Sequence, residues 1–142
     1  MNFTPSAAAD KCEELSRAAT AANHRDVAQI LMRAAAEIDL ADATTQQTWG
    51  PMNGQLARQK LVREILTAFN PSTIVETGAF RASTTIWFAQ FFFGQIFTCE
   101  LSPRYFLQSA MKLRQFPHVT IQNADSRAFL KHICNDPEFL SL

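Results

Sequence analysis

Thr73-Ile74-Val75-Glu76-Thr77-Gly78-Ala79-Phe80-Arg81-Ala82-Ser83-Thr84-Thr85 is the stretch that decides the fold. A short β-branched run, Thr73 to Glu76, leads through a single glycine into a helix-length segment that opens on Ser83. β-Branched side chains suit a strand, and Gly78 permits the tight turn that a direct strand-to-helix passage demands. Two further runs of the same kind follow, Gln95-Ile96-Phe97-Thr98-Cys99 and Val119-Thr120-Ile121-Gln122. The segments after each strand, Ser83 to Phe93, Pro103 to Phe116 and Ser126 to about Asn135, are of helical length. Ser102-Pro103 supplies an N-cap with a proline at the first helical position, and Asp125-Ser126 sets up the last helix start. The order β-α-β-α-β-α predicts an α/β fold with right-handed crossovers and a parallel sheet.

Upstream, the pattern is helical. Ala8, Cys12, Leu15 and Ala19 recur at spacings of three and four, which places them on one face of a helix beginning near Ser6. Asn23 stands where it can cap a second helix, with Val27, Ile30, Leu31, Ala34 and Ile38 as its apolar positions. The two predict a helical hairpin, so residues 1–48 read as an N-terminal helical cap in front of a domain spanning 49–142. Ala41 to Asn53 is polar and runs into Trp49-Gly50-Pro51-Met52-Asn53-Gly54, a turn-forming combination. From Gln55 an amphipathic helix follows with Leu61, Val62, Ile65, Leu66 and Phe69 apolar, and Asn70-Pro71 stops it.

Composition narrows the function. The 142 residues carry 13 Lys+Arg against 13 Asp+Glu, and the charges do not segregate along the chain, which argues against a nucleic-acid surface. The most apolar stretch, Ile86 to Cys99, is interrupted by Gln90, Gly94 and Gln95 and falls short of the roughly 20 residues of a membrane-spanning helix. The N-terminus lacks a basic start followed by an apolar run, so the expected location is cytoplasmic. Cys12, Cys99 and Cys134 form no Cys-x-x-Cys pair and read as reduced core or near-core residues. His24, His118 and His132 are scattered, so no metal site is expected, and no Ser-His-Asp or Cys-His arrangement is visible.

In a sheet of this kind ligands bind beyond the carboxyl ends of the strands. The first strand runs into Gly78, where the backbone can approach a ligand closely. The second ends in Glu100, whose acceptor-only carboxylate suits the vicinal hydroxyls of a ribose. The third ends in Asp125 and Ser126, placed to receive an exocyclic adenine amine. A dinucleotide fingerprint requires a glycine where Phe80 stands, and no Gly-Lys-Ser/Thr phosphate loop occurs, so NAD and nucleoside triphosphates are disfavoured. S-adenosylmethionine, with adenine, ribose and an amino-acid end but no phosphate, fits a loop with one close-approach glycine better.

Val-Glu-Thr-Gly-Ala-Phe-Arg-Ala-Ser-Thr-Thr at 75–85, Phe-Thr-Cys-Glu-Leu-Ser-Pro-Arg-Tyr at 97–105 and Asn-Ala-Asp-Ser-Arg-Ala-Phe-Leu at 123–130 together resemble motifs one to three of the class I S-adenosylmethionine-dependent methyltransferases. The resemblance covers roughly residues 49–136 and implies a Rossmann-like three-layer sandwich. It places Glu76, Gly78 and Phe80 around the methionine portion of the cofactor, and Ser83 and Thr84 near its carboxylate. It assigns Glu100 to the ribose, Asp125 with Ser126 to the adenine, and Asn53 and Gln55 to the pocket lining. Ala82 departs from the family, which has a glycine there.

The family's sheet runs 3-2-1-4-5-7-6, and this chain supplies strands 1 to 3 only, so the resemblance implies the cofactor half of a methyltransferase domain, inactive by itself. Its acceptor is expected to be a small molecule. The first strand is then an unpaired sheet edge, which favours self-association. The alternative is a non-catalytic remnant or interaction module completed by a partner chain. A half-domain of a nucleotide-dependent oxidoreductase is a third reading, against which Phe80 argues.

Overall fold

The computed structural model describes residues 5–42 and 50–136. Within them the order is α1 (Pro5–Ala21), α2 (Arg25–Ala41), a 3₁₀ turn at Pro51–Gly54, α3 (Leu56–Phe69), β1 (Thr73–Thr77), α4 (Ser83–Ala89), β2 (Gln95–Glu100), α5 (Pro103–Leu113), β3 (Val119–Asn123) and α6 (Ser126–Asn135). The three strands form one parallel sheet in the order β1-β2-β3. The alternation of strands and helices from Thr73 onward is therefore as the sequence predicts. Trp49 and most of the loop before it lie outside the described residues.

The central strand β2 divides the interior by its period of two. Ile96 belongs to a cluster with Trp87, Phe88, Ala89 and Phe92 of the α4 segment, against which Val62 and Leu66 of α3 and Ile74 of β1 also pack. Cys99, three residues on, points to the opposite face and packs with Phe129 and Ile133 of α6. Helices thus cover both faces of the sheet. The start of β2 is tied to that of β1 by an approach only glycine allows: a Cβ on Gly94 would stand 2.2 Å from the Ser72 carbonyl oxygen, which accepts the Gln95 N–H at 3.0 Å.

Two helices are shorter than their apolar patterns predict. α4 ends at Ala89 rather than Phe93, because the chain tightens so that the Phe91 and Phe92 N–H groups both donate to the Phe88 carbonyl. The turn buries Phe92 while Phe93 stays 86% exposed. α5 ends at Leu113 rather than Phe116, where a further turn carries Phe116 back onto the α4 cluster.

The N-terminal hairpin forms, but on a different seam. Leu15, Val27 and Ile30 are 44%, 50% and 69% exposed, whereas Ala9, Ser16, Ala28, Ala35 and Ala36 are buried. Small side chains let α1 and α2 approach closely enough for the Ser16 hydroxyl to donate to the Ala28 carbonyl at 2.7 Å. Asn23 is not a helix N-cap. At φ 61° it ends α1, with the Asn23 N–H on the Thr20 carbonyl and the His24 N–H on the Ala19 carbonyl, the pairing that closes a helix through a left-handed residue. In α3 likewise only Val62 and Leu66 pack inward, while Leu61, Ile65 and Phe69 are 55%, 45% and 80% exposed. Of the cysteines, Cys99 is buried, Cys12 half-buried and Cys134 exposed, so the last is a surface residue rather than a core one.

One buried charge fastens the hairpin to the α/β portion. Arg104, in the first turn of α5, is 6% exposed and reaches α2 through a bidentate pair, Nε to Asp39 Oδ2 at 2.6 Å and Nη2 to Asp39 Oδ1 at 2.8 Å. Its Nη1 donates to Asp10 Oδ1 at 2.7 Å and Glu13 Oε2 at 3.0 Å on α1. These carboxylates, Asp39 foremost, hold the guanidinium pKa above its usual value. Asp39 is fully buried, so removing Arg104 leaves a carboxylate desolvated and stripped of its cation. Arg104→Ala is expected to cost about 3–5 kcal/mol of folding stability, read as a lower urea midpoint, whereas Lys11→Ala, which removes an exposed ion pair with Glu14, shifts it by less than about 1 kcal/mol.

Candidate functional site

The carboxyl ends of the three strands lie side by side. Register pairs Thr77 with Cys99 and Glu100 with Asn123, so Gly78, Glu100 and the Ala124-Asp125 step leave neighbouring strands at one edge of the sheet. The passage from β1 to α4 is the most distorted backbone in this region, with Gly78 at φ 79°, Phe80 at φ 49° and Ala82 at φ 61°. A left-handed conformation costs a residue with a Cβ about 1–2 kcal/mol, so Phe80 and Ala82 hold it only because the surroundings impose it. Position 82 calls for a positive φ, which glycine accepts freely and alanine adopts only at a cost.

Four groups impose the turn. The Cys99 carbonyl accepts from both the Gly78 N–H (3.0 Å) and the Ala79 N–H (2.8 Å). Glu100 Oε2 accepts the Phe80 N–H at 2.8 Å, while its Oε1 accepts the Ser102 N–H at 2.8 Å. From α5, the Ser109 hydroxyl donates to the Phe80 carbonyl and Lys112 Nζ to the Arg81 carbonyl at 3.3 Å. Tyr105, one turn earlier on the same helix, lays its ring against Phe80 with centroids 4.6 Å apart. The Arg81 guanidinium covers both rings, 5.3 Å from the centroid of Phe80 and 5.8 Å from that of Tyr105. Burial, and then the nearby Arg81 charge, lower the Lys112 pKa. Ser109 and Lys112 are residues that a reading of strand ends misses. The available signal was their spacing from Tyr105, four and seven residues, which puts all three on one face of α5.

The expected site residues fall into two groups. Gly78, Phe80, Glu100, Asp125 and Ser126 come together at the strand ends. Above Gly78 the space is open, for a Cβ built there meets no atom within 4 Å. Phe80 is 48% exposed. Asp125 caps α6, its Oδ1 accepting the Arg127 N–H at 2.9 Å and the Ala128 N–H at 3.4 Å, with Ser126 half-buried beside it. Glu76 and Thr84 are engaged instead with the protein. Glu76 Oε2 accepts the hydroxyls of Thr85 at 2.5 Å and Thr98 at 2.9 Å, between β1, β2 and α4. Thr84 Oγ1 accepts the Met52 N–H at 2.9 Å, which seats the 3₁₀ turn on the start of α4, where Ser83 is half-buried. Asn53 is exposed at φ 56°, and Gln55 is the N-cap residue of α3.

Glycine is required at 78 by φ and at 94 by packing, and only the former faces open space. A cavity of about 480 Å³ opens at the other end of the sheet, between the end of α3 and the Phe91–Gly94 turn, remote from these strand ends. No cluster of three or more metal-ligating side chains occurs among the described residues, and no helix there is long and apolar enough to cross a membrane. Comparison of the chain with protein-family models, with curated proteins and with solved structures yields no match.

Burial raises the Glu76 pKa above 4.5, and the hydrogen bonds from Thr85 and then Thr98 offset part of that rise. A carboxyl whose folded pKa is raised favours the folded state while protonated, and its contribution is lost as pH rises through the folded pKa. Glu76→Gln keeps an acceptor for the threonines and cannot ionise. Urea midpoints of the two proteins from about pH 4 to about pH 8 are expected to shift progressively in favour of the glutamine variant as pH rises, and parallel curves would show that Glu76 ionises without penalty.

Proposed function

We propose that this chain is an S-adenosylmethionine-binding, methyltransferase-like domain of Rossmann-like layout that holds its cofactor across the carboxyl ends of β1, β2 and β3. The observation that carries the reading is the alignment of Gly78, Glu100 and Asp125 on adjacent parallel strands, with open space over the one glycine of the turn. The residues fit the cofactor. Each Glu100 oxygen accepts one backbone N–H, which leaves each a lone pair for a ribose hydroxyl. Asp125, with Ser126, takes the adenine end, and the open face of Gly78 with the exposed Phe80 ring takes the methionine portion. Ser83 and Thr84, at the start of α4, stand toward the cofactor's carboxylate, and the Thr84 hydroxyl, an acceptor from Met52, keeps its own proton to donate.

Glu76 acts in this reading as a positioning residue that fastens β1 and β2 to α4 beneath the turn. When bound, S-adenosylmethionine supplies a methyl group on a sulfonium for transfer to a nucleophile. Transfer is in-line and depends on holding that nucleophile against the methyl carbon. The balanced charge of the chain makes a small molecule the expected acceptor.

A second reading, an interaction module without turnover, is favoured by one observation, that the outer side of β1 pairs with no other strand among the described residues. Calorimetric titration separates binding from scaffold. Purified protein is expected to bind S-adenosylhomocysteine saturably and NAD weakly or not at all. Glu100→Ala is expected to weaken binding about tenfold or more, the loss of charge-assisted hydrogen bonds to the ribose. Thermal unfolding of the same variant separates loss of the ligand contact from loosening of the turn. Absence of binding by protein with native helical circular dichroism would leave the interaction module as the reading to pursue.

A further inference from the structure

Among the described residues β1 ends the sheet on one side, and its outer side carries a regular set of main-chain groups. Their parity follows from two hydrogen bonds. The Ser72 carbonyl accepts the Gln95 N–H at 3.0 Å and the Gly78 N–H donates to the Cys99 carbonyl at 3.0 Å. In a parallel ladder alternate residues face the neighbour, so Ile74 and Glu76 also turn their N–H and C=O groups toward β2. Thr73, Val75 and Thr77 present theirs outward, and no hydrogen bond from another described residue takes them up.

Three devices that protect a sheet edge, a bulge, a lysine and a proline, are absent from β1. The strand's register with β2 runs unbroken from Thr73 to Thr77. Its one charged residue, Glu76, is turned into the protein and held by Thr85 and Thr98. Val75, at the centre of the strand, is 38% exposed.

We propose that this edge pairs antiparallel with the same edge of a second copy, about a twofold axis at Val75, joining two three-stranded sheets into one. The strand is self-complementary about that point. Its outward residues lie two before Val75, at Val75 and two after it, so Thr73 falls opposite the partner's Thr77 and Val75 opposite the partner's Val75. Every pair is of the kind that exchanges both hydrogen bonds, and the three donors and three acceptors of each copy are all satisfied. A twofold axis normal to the sheet keeps each face on its own side. Val75 is in register with Phe97, which packs on the α6 side, so the two Val75 side chains meet there as a cross-strand pair.

Charge does not oppose the approach, since no ionised side chain of the strand faces its like. Isologous pairing also closes, consuming the β1 edge of both copies, whereas head-to-tail joining of β1 to β3 generates open filaments. The pairing does not depend on what occupies the strand ends.

Sedimentation velocity over a concentration series is expected to show a monomer–dimer equilibrium for the natural chain. Val75→Lys, with unchanged helical circular dichroism, is expected to sediment as monomer throughout. The register is tested separately in a Cys12→Ser/Cys134→Ser background under mild oxidation. Val75→Cys is expected to cross-link to dimer, Thr77→Cys alone is not, and a mixture of Thr73→Cys with Thr77→Cys is. A natural chain that stays monomeric at every concentration, open-ended association, a dimer that survives Val75→Lys, or self-cross-linking of Thr77→Cys would each overturn the proposal.

Discussion

Between Gly78 and Ala82 the main chain leaves the sheet on three positive φ angles, and it stays there because neighbouring elements bond it from several directions. The Cys99 carbonyl holds the first two N–H groups, Glu100 the third, and Ser109 and Lys112 the carbonyls that follow. Phe80 and Ala82 contribute strain rather than stability at these angles, so the bonds from β2 and α5 offset it. Remove that support and the turn relaxes, taking with it the alignment of strand ends and the direction in which α4 sets out.

The same residues link the turn to the periphery. α5 carries Tyr105, Ser109 and Lys112 toward the β1–α4 passage, and on its first turn it carries Arg104 toward α1 and α2. A short helix thus connects the N-terminal hairpin, through one buried guanidinium and Asp39, to the backbone of the β1–α4 turn. A buried ion pair adds little over an apolar contact of the same shape, yet losing one partner is costly, so the pair constrains the arrangement of the elements it joins. Here the arrangement fixed is which face of α5 turns toward the hairpin and which toward the sheet.

Much of the fold was legible because the local signals from Thr73 onward agree with one another. β-Branched runs, a strand-to-helix glycine, Pro103 at a first helical position and Asp125 as a cap all point to one α/β order, and the strand boundaries lie within a residue of those read from sequence. The N-terminal half was less legible. Periodicity marks Leu15, Val27 and Ile30 as inward-facing, yet the hairpin packs on Ala9, Ser16, Ala28 and Ala35. Apolar spacing identifies a helix without saying which neighbour it meets, and two helices that approach on small residues leave their larger ones outside. Ser109 and Lys112 share a face of α5 with Tyr105, but their role was not legible for a related reason: a hydroxyl and an amine on a helix acquire meaning only when a distant carbonyl is brought to them.

The sequence by itself determined the order of elements, the parallel sheet, and the grouping of Gly78, Glu100 and Asp125 at strand ends, because each depends on residues near one another in the chain or on the chirality of crossovers. Tertiary structure alone decided that Glu76 and Thr84 are bonded to Thr85, Thr98 and the Met52 N–H while Glu100 bridges two loops. It also decided that a lone arginine in α5 fastens the hairpin. A carboxylate's type says what it can accept, but which donors reach it is settled by packing, where distances of a few ångströms between elements far apart in sequence are set.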